Sequence, residues 1–323
     1  MIRRQFLRAG CAMAALTALP GVPAFAQGQE IVYITPSLKI GFWRIIGTGV
    51  EAAGAAAGYS VRLLDSNDDA QAQLRNAQDA IASGVAGIVL SPTDSSTAPS
   101  VLRLAAEAGI PVAIADIGTT EGDYVTFVGS DNLGGALGVG DYVGGLVEAR
   151  GWQDGSFGII GIPQARINGQ LRTQGFREGL AAHGMTNEVP LMEMRSFTSE
   201  ETYKFAQDMI AANPDLRVIF VQSDFMSLGA QRAVQAARKT DDIIVAAFDG
   251  TPELLDFIRD GKIVASGMQQ PYRLGLVAAE NLIASLAGES VGKEIQVPIL
   301  VTTTDNAVEM TDEISLNVFG ETE

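Results

Sequence analysis

The chain predicts an α/β fold of two doubly wound, Rossmann-like units, on three observations. Short apolar segments alternate with amphipathic helical patterns throughout, the signature of a parallel sheet covered by helices. Each half of the chain reads as a complete unit of this kind, with no long Pro/Gly-rich linker between them. In residues 213–271 the apolar runs RVIFVQ, IIVAAF and IVASGM lead into polar residues: Ser223 and Asp224, then Asp249, then Gln269. The carboxyl ends of strands in an open parallel sheet face one crevice, where ligands bind. A row of hydrogen-bonding side chains on that rim suits a small polar ligand and points away from a nucleophilic enzyme.

The strands follow in order: IVYIT (31–35), VRLLD (61–65), GIVLS (87–91), VAIAD (112–116), TFVG (126–129), GIIGI (158–162), LMEMR (191–195), VIFVQ (218–222), IVAAF (244–248), VASGM (264–268) and VPILV (297–301). The helical patterns between them run about 10–18 residues, a usual crossover length. Stretches such as 70–82, rich in Ala, Leu and Gln, are favoured by helix propensity. The acidic run Asp65, Ser66, Asn67, Asp68, Asp69 begins like a calcium loop, but the sixth position is Ala70 and the twelfth Asn76, so a helix cap is expected. The glycines of 134–145 fall within a helical pattern, where close packing explains them. The polar, acidic tail from Thr304 either extends the second unit or is partly disordered.

Residues 1–26 read as a twin-arginine export signal: Arg3, Arg4, Gln5, Phe6, Leu7, a short apolar stretch, then Ala24, Phe25, Ala26 as the cleavage site. Pro20, Gly21 and Pro23 break the apolar run, whereas a membrane span needs about 20 apolar residues. Cys11 precedes that run instead of following it, against a lipid anchor. Cleavage after Ala26 would leave 297 of the 323 residues, without cysteine. That length suffices for two domains burying roughly 75% of the unfolded surface. Losing Arg3, Arg4 and Arg8 moves the formal charge from −16 to −19, which argues against nucleic acid or an anionic membrane as partner.

VQSD, FMSLGAQRAV, FDGTPE and DGKIVASGMQQP, in that order and spacing, resemble the ribose/galactose-type periplasmic sugar-binding proteins of ABC importers, whose fold is related to lactose-repressor-type regulatory domains. IVYITPSLKIGFW, IVLSPTDSS, IPVAIADIG and VGSDNLGGALG extend the resemblance over nearly the whole mature chain. It implies two lobes joined by a three-segment hinge, with the ligand in the interlobe cleft. Residues 27–130 with 270–298 would form lobe 1, and 131–269 with 299–323 lobe 2. The last strand pair would belong mostly to lobe 2.

The resemblance also implies site residues. Phe42 and Trp43 match an aromatic pair that sandwiches the sugar ring; packing into the first helix is the other reading. Asp116 and Asp249 match ligand aspartates, or cap the helices that follow. Arg172, at a helix start in INGQLRTQGF, matches a ligand arginine or is a solvated helix arginine, and Phe197 matches an aromatic on the lobe 2 side of the sugar or anchors its loop. Gln269 matches a ligand glutamine or serves the hinge, and Arg166 and Asn168, after GIIGI, are within reach of the ligand. Sugar hydroxyls both donate and accept, so carboxylates beside amides or guanidinium suit them. The chain departs from the ribose pattern at three positions: Ile117 stands for an arginine, Ser223 for an asparagine, and Ile40 for an asparagine. A buried hydroxyl deprived of a partner costs about 1–3 kcal/mol. A deoxy sugar, another pentose or hexose, or a polyol therefore fits better than ribose.

Enzyme signals fail. Gly288-Glu289-Ser290-Val291-Gly292 follows a helix and precedes a strand, the reverse of a nucleophile elbow. His183 is the sole histidine, so neither a Ser–His dyad nor a transition-metal site is expected. No phosphate loop occurs. The expectation is a monomeric, non-enzymatic periplasmic binding protein without cofactor or metal. It captures a small carbohydrate and delivers it to an ABC permease of the inner membrane, without contacting nucleic acid or inserting into the membrane. A sensor feeding a chemoreceptor or histidine kinase, or a binder of a non-sugar polar solute, are the alternatives. A repressor would need a helix-turn-helix where the export signal lies.

Overall fold

In the first strand, Ile31 and Tyr33 face one side and Val32 and Ile34 the other, and all four are fully buried. Such a strand needs helices on both faces of its sheet. The computed structural model describes residues 30–321 and repeats this pattern along the chain. The expected export signal lies outside the described residues.

The elements are β1 (Glu30–Thr35), α1 (Gly41–Ala56), β2 (Ser60–Asp65), α2 (Ala70–Ala82), β3 (Gly87–Leu90), α3 (Ala98–Glu107), β4 (Val112–Ala115) and β5 (Phe127–Ser130). Then come α4 (Asn132–Ala149), β6 (Ser156–Gly161), α5 (Ile167–Ala182), β7 (Asn187–Glu188), β8 (Met192–Glu193), α6 (Ser199–Ala212), β9 (Leu216–Val221), α7 (Ser227–Ala236), β10 (Ile244–Phe248), α8 (Pro252–Arg259) and β11 (Ala265–Met268). The chain closes with α9 (Pro271–Leu286), β12 (Glu294–Val297), β13 (Leu300–Thr303) and α10 (Thr311–Asn317). The first sheet runs β12-β5-β4-β3-β1-β2, all parallel. The second runs β13-β11-β10-β9-β6-β7, with β8 also on β6 and only β13 antiparallel.

Each sheet is covered on both faces. Ile31, Tyr33 and Val89 pack under α1 and α9 through Ile46, Val50, Leu274 and Ala278. Val32, Ile34 and Ile88 pack on Ala77 of α2 and Val101 of α3. In the second sheet Ile159, Phe220 and Phe248 meet α4 and α5, while Ile219, Val221 and Val245 meet α6, α7 and α8. The paired helices approach through glycine. A Cβ on Gly140 of α4 would lie 2.5 Å from the Phe176 carbonyl oxygen of α5, and one on Gly275 of α9 would overlap the Ile46 carbonyl of α1. Gly140 and Gly144 are explained by packing on α5 and its cap His183, and Gly135 and Gly138 by Ile299 and Val301, whereas Gly145 has nothing within 4 Å.

The chain leaves the first sheet after Ser130, returns after Met268, and leaves again between β12 and β13. These crossings are tied together. The Asp131 amide donates to the Val297 carbonyl at 3.0 Å, and Gln270 Nε2 donates to the Pro298 carbonyl at 2.7 Å.

Three local expectations change, at VPILV, at the last strand pair and at LMEMR. VPILV is not one strand: Pro298, which has no N–H to give a ladder, separates β12 from β13. The last strand pair is thereby shared, β12 pairing with β5 of the first sheet and β13 with β11 of the second. LMEMR shrinks to the two residues of β8, and a further short strand, β7, lies beyond Pro190. The tail extends the second lobe, since Ala307, Ile314 and Val318 are buried in its core. The acidic run caps α2: the Asp69 carboxylate accepts from the Ala72 amide at 2.5 Å.

Candidate functional site

Asp116 follows β4 and Asp249 follows β10, corresponding strand ends of the two sheets. Both backbones are left-handed, with φ of 69° and 65°. That conformation costs a non-glycine residue on the order of 1 kcal/mol and is least unfavourable for Asp and Asn. Neighbouring strands hold it. The Asp116 amide donates to the Val128 carbonyl at 2.8 Å and the Asp249 amide to the Gly267 carbonyl at 2.9 Å. Ser266 Oγ also donates to the Asp249 carbonyl at 2.6 Å.

On the second lobe the polar groups meet in one network. Arg172, buried on α5, donates from Nε to Asn132 Oδ1 at 2.8 Å. Its Nη1 donates to the Gln222 carbonyl at 3.0 Å and to Asp249 Oδ2 at 3.1 Å, and its Nη2 to Asp249 Oδ1 at 3.3 Å. The guanidinium lies 4.1 Å from the centroid of the Phe248 ring, an attractive cation–π placement. Gln269 Nε2 donates to Asp249 Oδ1 at 2.6 Å. Of the five guanidinium donors, one Nη2 hydrogen has no acceptor among the described residues.

Two further carboxylates face this network. Burial pushes Asp116 up to about 7, opposed by Arg172 and reinforced by Asp249. Its half-buried side chain has no hydrogen-bond partner among the described residues, so it is an acceptor open to a donor. Asp224, after β9, is pushed up to about 6 by burial and then by the Asp249 charge.

Phe42 and Trp43 stand in the first turn of α1 as an edge-to-face pair, 5.2 Å between centroids and 87° between planes. Both are half-buried against the first-lobe core, so each combines packing with a residual face. Phe197 has φ of 52° in a loop pinned by Glu201, whose carboxylate accepts the amides of Arg195, Ser196 and Phe197. The exposed Arg166, at the start of α5, lies 5.7 Å from the Phe197 ring centroid. It also reaches across electrostatically: Asp94, in the loop after β3, is held low by its hydrogen bonds from Ser96, with Arg166 adding to the effect.

The structure therefore brings Arg172, Asp249 and Gln269 into direct contact, places Asp116 within their field, and pairs Phe42 with Trp43 and Arg166 with Phe197. Asn168 and Ser223 are engaged locally. Asn168 Oδ1 accepts from the Gly169 amide at 3.0 Å, and the buried Ser223 hydroxyl is directed at Asp224 Oδ1, 3.4 Å away. Asn132, Gln222, Asp224 and Phe248 belong to the network but were not among the expected site residues. Asp224 had a signal as a polar strand end. Nothing in sequence spacing links Asn132 to Arg172, 40 positions away.

His183 ends α5, with ring nitrogens 2.9 Å from Glu148 and 3.0 Å from Asp141 of α4. Ser290 lies exposed between α9 and β12. A surface hollow lined by Arg150, Asp241, Ile243 and Lys262 lies at the opposite end of the strands from Asp249.

Two α/β lobes joined by three tied crossings, with carboxylates at corresponding strand ends, are the architecture of a two-lobed binding protein. The chain belongs to the periplasmic binding protein domain family, whose model matches residues 31–290. It is 32% identical over 277 residues to the ribose import binding protein RbsB of Salmonella typhimurium, covering 86% of this chain and 91% of that one. It is 29% identical over 291 residues to a D-apiose import binding protein of Paraburkholderia graminis, covering 87% and 89%. Its fold is similar to the crystal structure of a periplasmic ribose ABC transporter from Conexibacter woesei, with a TM-score of 0.80, 23% identity, and 89% and 96% of the two chains covered.

Proposed function

We propose that this protein captures a small carbohydrate between its lobes and delivers it to the permease of an ABC importer. The observation that carries the reading is the Arg172–Asp249–Gln269 network on one lobe facing the unpartnered Asp116 on the other. A polyhydroxylated ligand supplies donors to Asp116 and Asp249 together, and so rewards closure. Its C–H faces would stack on Phe42, Trp43 and Phe197, while Arg166 closes the rim. Asn168 and Ser223 complete the site through Gly169 and Asp224. The relatives named for ribose and apiose import support the carbohydrate class and the transport role.

Among the described residues the lobes comprise 30–130 with 270–298 and 131–269 with 299–321, and the protein acts as a monomer in the periplasm after cleavage behind Ala26. It has no catalytic role and needs no cofactor. A thermal-shift screen against pentoses, hexoses, deoxy sugars and polyols tests the reading. At 100-fold excess over Kd a ligand adds about 2.7 kcal/mol, a readable rise in Tm. No shift with any of them would sink the carbohydrate reading and favour another small polar solute.

A further inference from the structure

Asn132 is the first residue of α4, two positions past Ser130, where the chain leaves the first sheet. Its side-chain amide bonds in two directions. Oδ1 accepts from Arg172 Nε at 2.8 Å, and Nδ2 donates back to the Ser130 carbonyl at 3.1 Å. Ser130 ends β5 of the first lobe, whereas α4 and α5, which carry Asn132 and Arg172, belong to the second. One short side chain thus spans the first crossing and holds the buried guanidinium that pairs with Asp249. The other member of that ion pair leads to the second crossing. Gln269 Nε2 donates to Asp249 Oδ1, and the next residue, Gln270, donates to the Pro298 carbonyl at the third. Arg172 and Asp249 are each one side chain away from a crossing.

Asp131 and Gln270, which precede α4 and α9 at the first two crossings, have ψ of 73° and 71°. These angles lie between the helical and extended regions, so a modest rotation carries either residue toward one or the other. Hinges are a few such element-terminal residues that absorb a change of domain angle. Rotation about Asp131 moves Asn132 relative to Ser130, and the short Asn side chain has little slack with which to follow. It either draws Arg172 along or gives up one of its two bonds. Capping α4 does not require Asn132, because the Asp131 carboxylate already accepts from the Gly134 amide at 2.9 Å.

We propose that Asn132 is a positioning residue that couples the angle between the lobes to Arg172. The Ser130 carbonyl, the Asn132 amide and the guanidinium move as one unit, so a ligand that engages the Arg172–Asp249 pair selects one setting of the first crossing. This rests on the reading above, that a carbohydrate is held as the lobes close.

The test is the distance between nitroxides on α2 and α6, placed through Gln78→Cys and Asp208→Cys at exposed positions of the two lobes. It uses the protein without residues 1–26, which has no cysteine of its own. Asn132→Asp keeps the acceptor for Arg172 and removes the donor to Ser130; Asn132→Leu removes both. Without ligand, each is expected to shift or broaden the distance distribution, Asn132→Leu the more, with melts confirming that both are folded. Calorimetry with D-ribose, D-galactose, D-xylose and ribitol should show binding weakened about five-fold or more for whichever of them binds, since couplings of this kind are typically about 5–150-fold. Asp131→Ala, which removes the cap of α4 and leaves Asn132 in place, should lower Tm and leave the distances alone. Unchanged ligand-free distances in both Asn132 variants would overturn the inference and make Asn132 only a local support of Arg172. Shifted distances with undiminished affinity would overturn it as well, because the lobe angle would then be independent of the site. The same shift in Asp131→Ala would assign the effect to fraying of α4 and so overturn it. If none of the four probes binds the unsubstituted protein, the carbohydrate reading loses its support, and the ligand-free distances still decide the link.

Discussion

On the second lobe, Asp249 accepts from Arg172 and Gln269, and Arg172 is held in turn by Asn132, the Gln222 carbonyl and the Phe248 ring. On the first lobe, Asp116 occupies the corresponding strand end with the same left-handed backbone, and its carboxylate has no hydrogen-bond partner among the described residues. In the proposed site one bank is assembled without a ligand, and the other would be completed by one. A preformed bank lowers the ordering cost of binding, and an unsatisfied bank makes closure depend on a donor being present.

The sharpest way to break this contrast is the same substitution on both banks. Asp249→Ala strands the buried Arg172 charge and is expected to cost about 3–5 kcal/mol, read as a lower urea midpoint without ligand. Asp116→Ala removes a half-buried carboxylate that has no hydrogen-bond partner among the described residues, and should raise ligand-free stability at pH 7 by about 1–2 kcal/mol while weakening sugar binding. Equal losses at the two positions would mean the banks are alike. Phe248→Leu removes the ring beneath the guanidinium and should cost about 1–2 kcal/mol on the preformed side.

The pH dependence sharpens the same point. Asp116 titrates at about 7 in the folded protein against 3.8 for an ordinary aspartate, so the folded state keeps a proton that the unfolded chain has lost. Stability falls as pH rises from about 4 to about 7, and Asp116→Asn should flatten that part of a melting-temperature profile. A smaller effect of opposite cause lies outside the cleft. Hydrogen bonds with Glu148 and then Asp141 raise His183 above 6.5. Its contribution is present below pH 6.5 and is lost as pH rises through the folded-state value. His183→Asn should remove roughly a few tenths of a kcal/mol there, because the partners are largely exposed. A pH-independent difference from the unsubstituted protein would show that the ring acts only by packing.

Much of this architecture was legible because it rests on short-range rules. Runs such as IVYIT and IVAAF are apolar on consecutive residues because both faces of their strands are covered, and Asp69 reads as a cap because capping is a three-residue event. Asp116, Asp249 and Gln269 were visible as polar residues ending apolar runs. The partner of Arg172 was not: its helix, Asn132 and Asp249 are joined only by the folding of the second lobe. The division of VPILV between two sheets was hidden as well, since five residues of strand-like composition do not say which neighbour each will pair with.

By itself the sequence determined that two α/β units present polar strand ends on one rim, because period, cap and strand-end chemistry are written in neighbouring residues. Only the tertiary structure decided that Asp249 is already satisfied and Asp116 is not. That difference depends on which distant donors the packing of α4, α5 and β11 brings within about 3 Å.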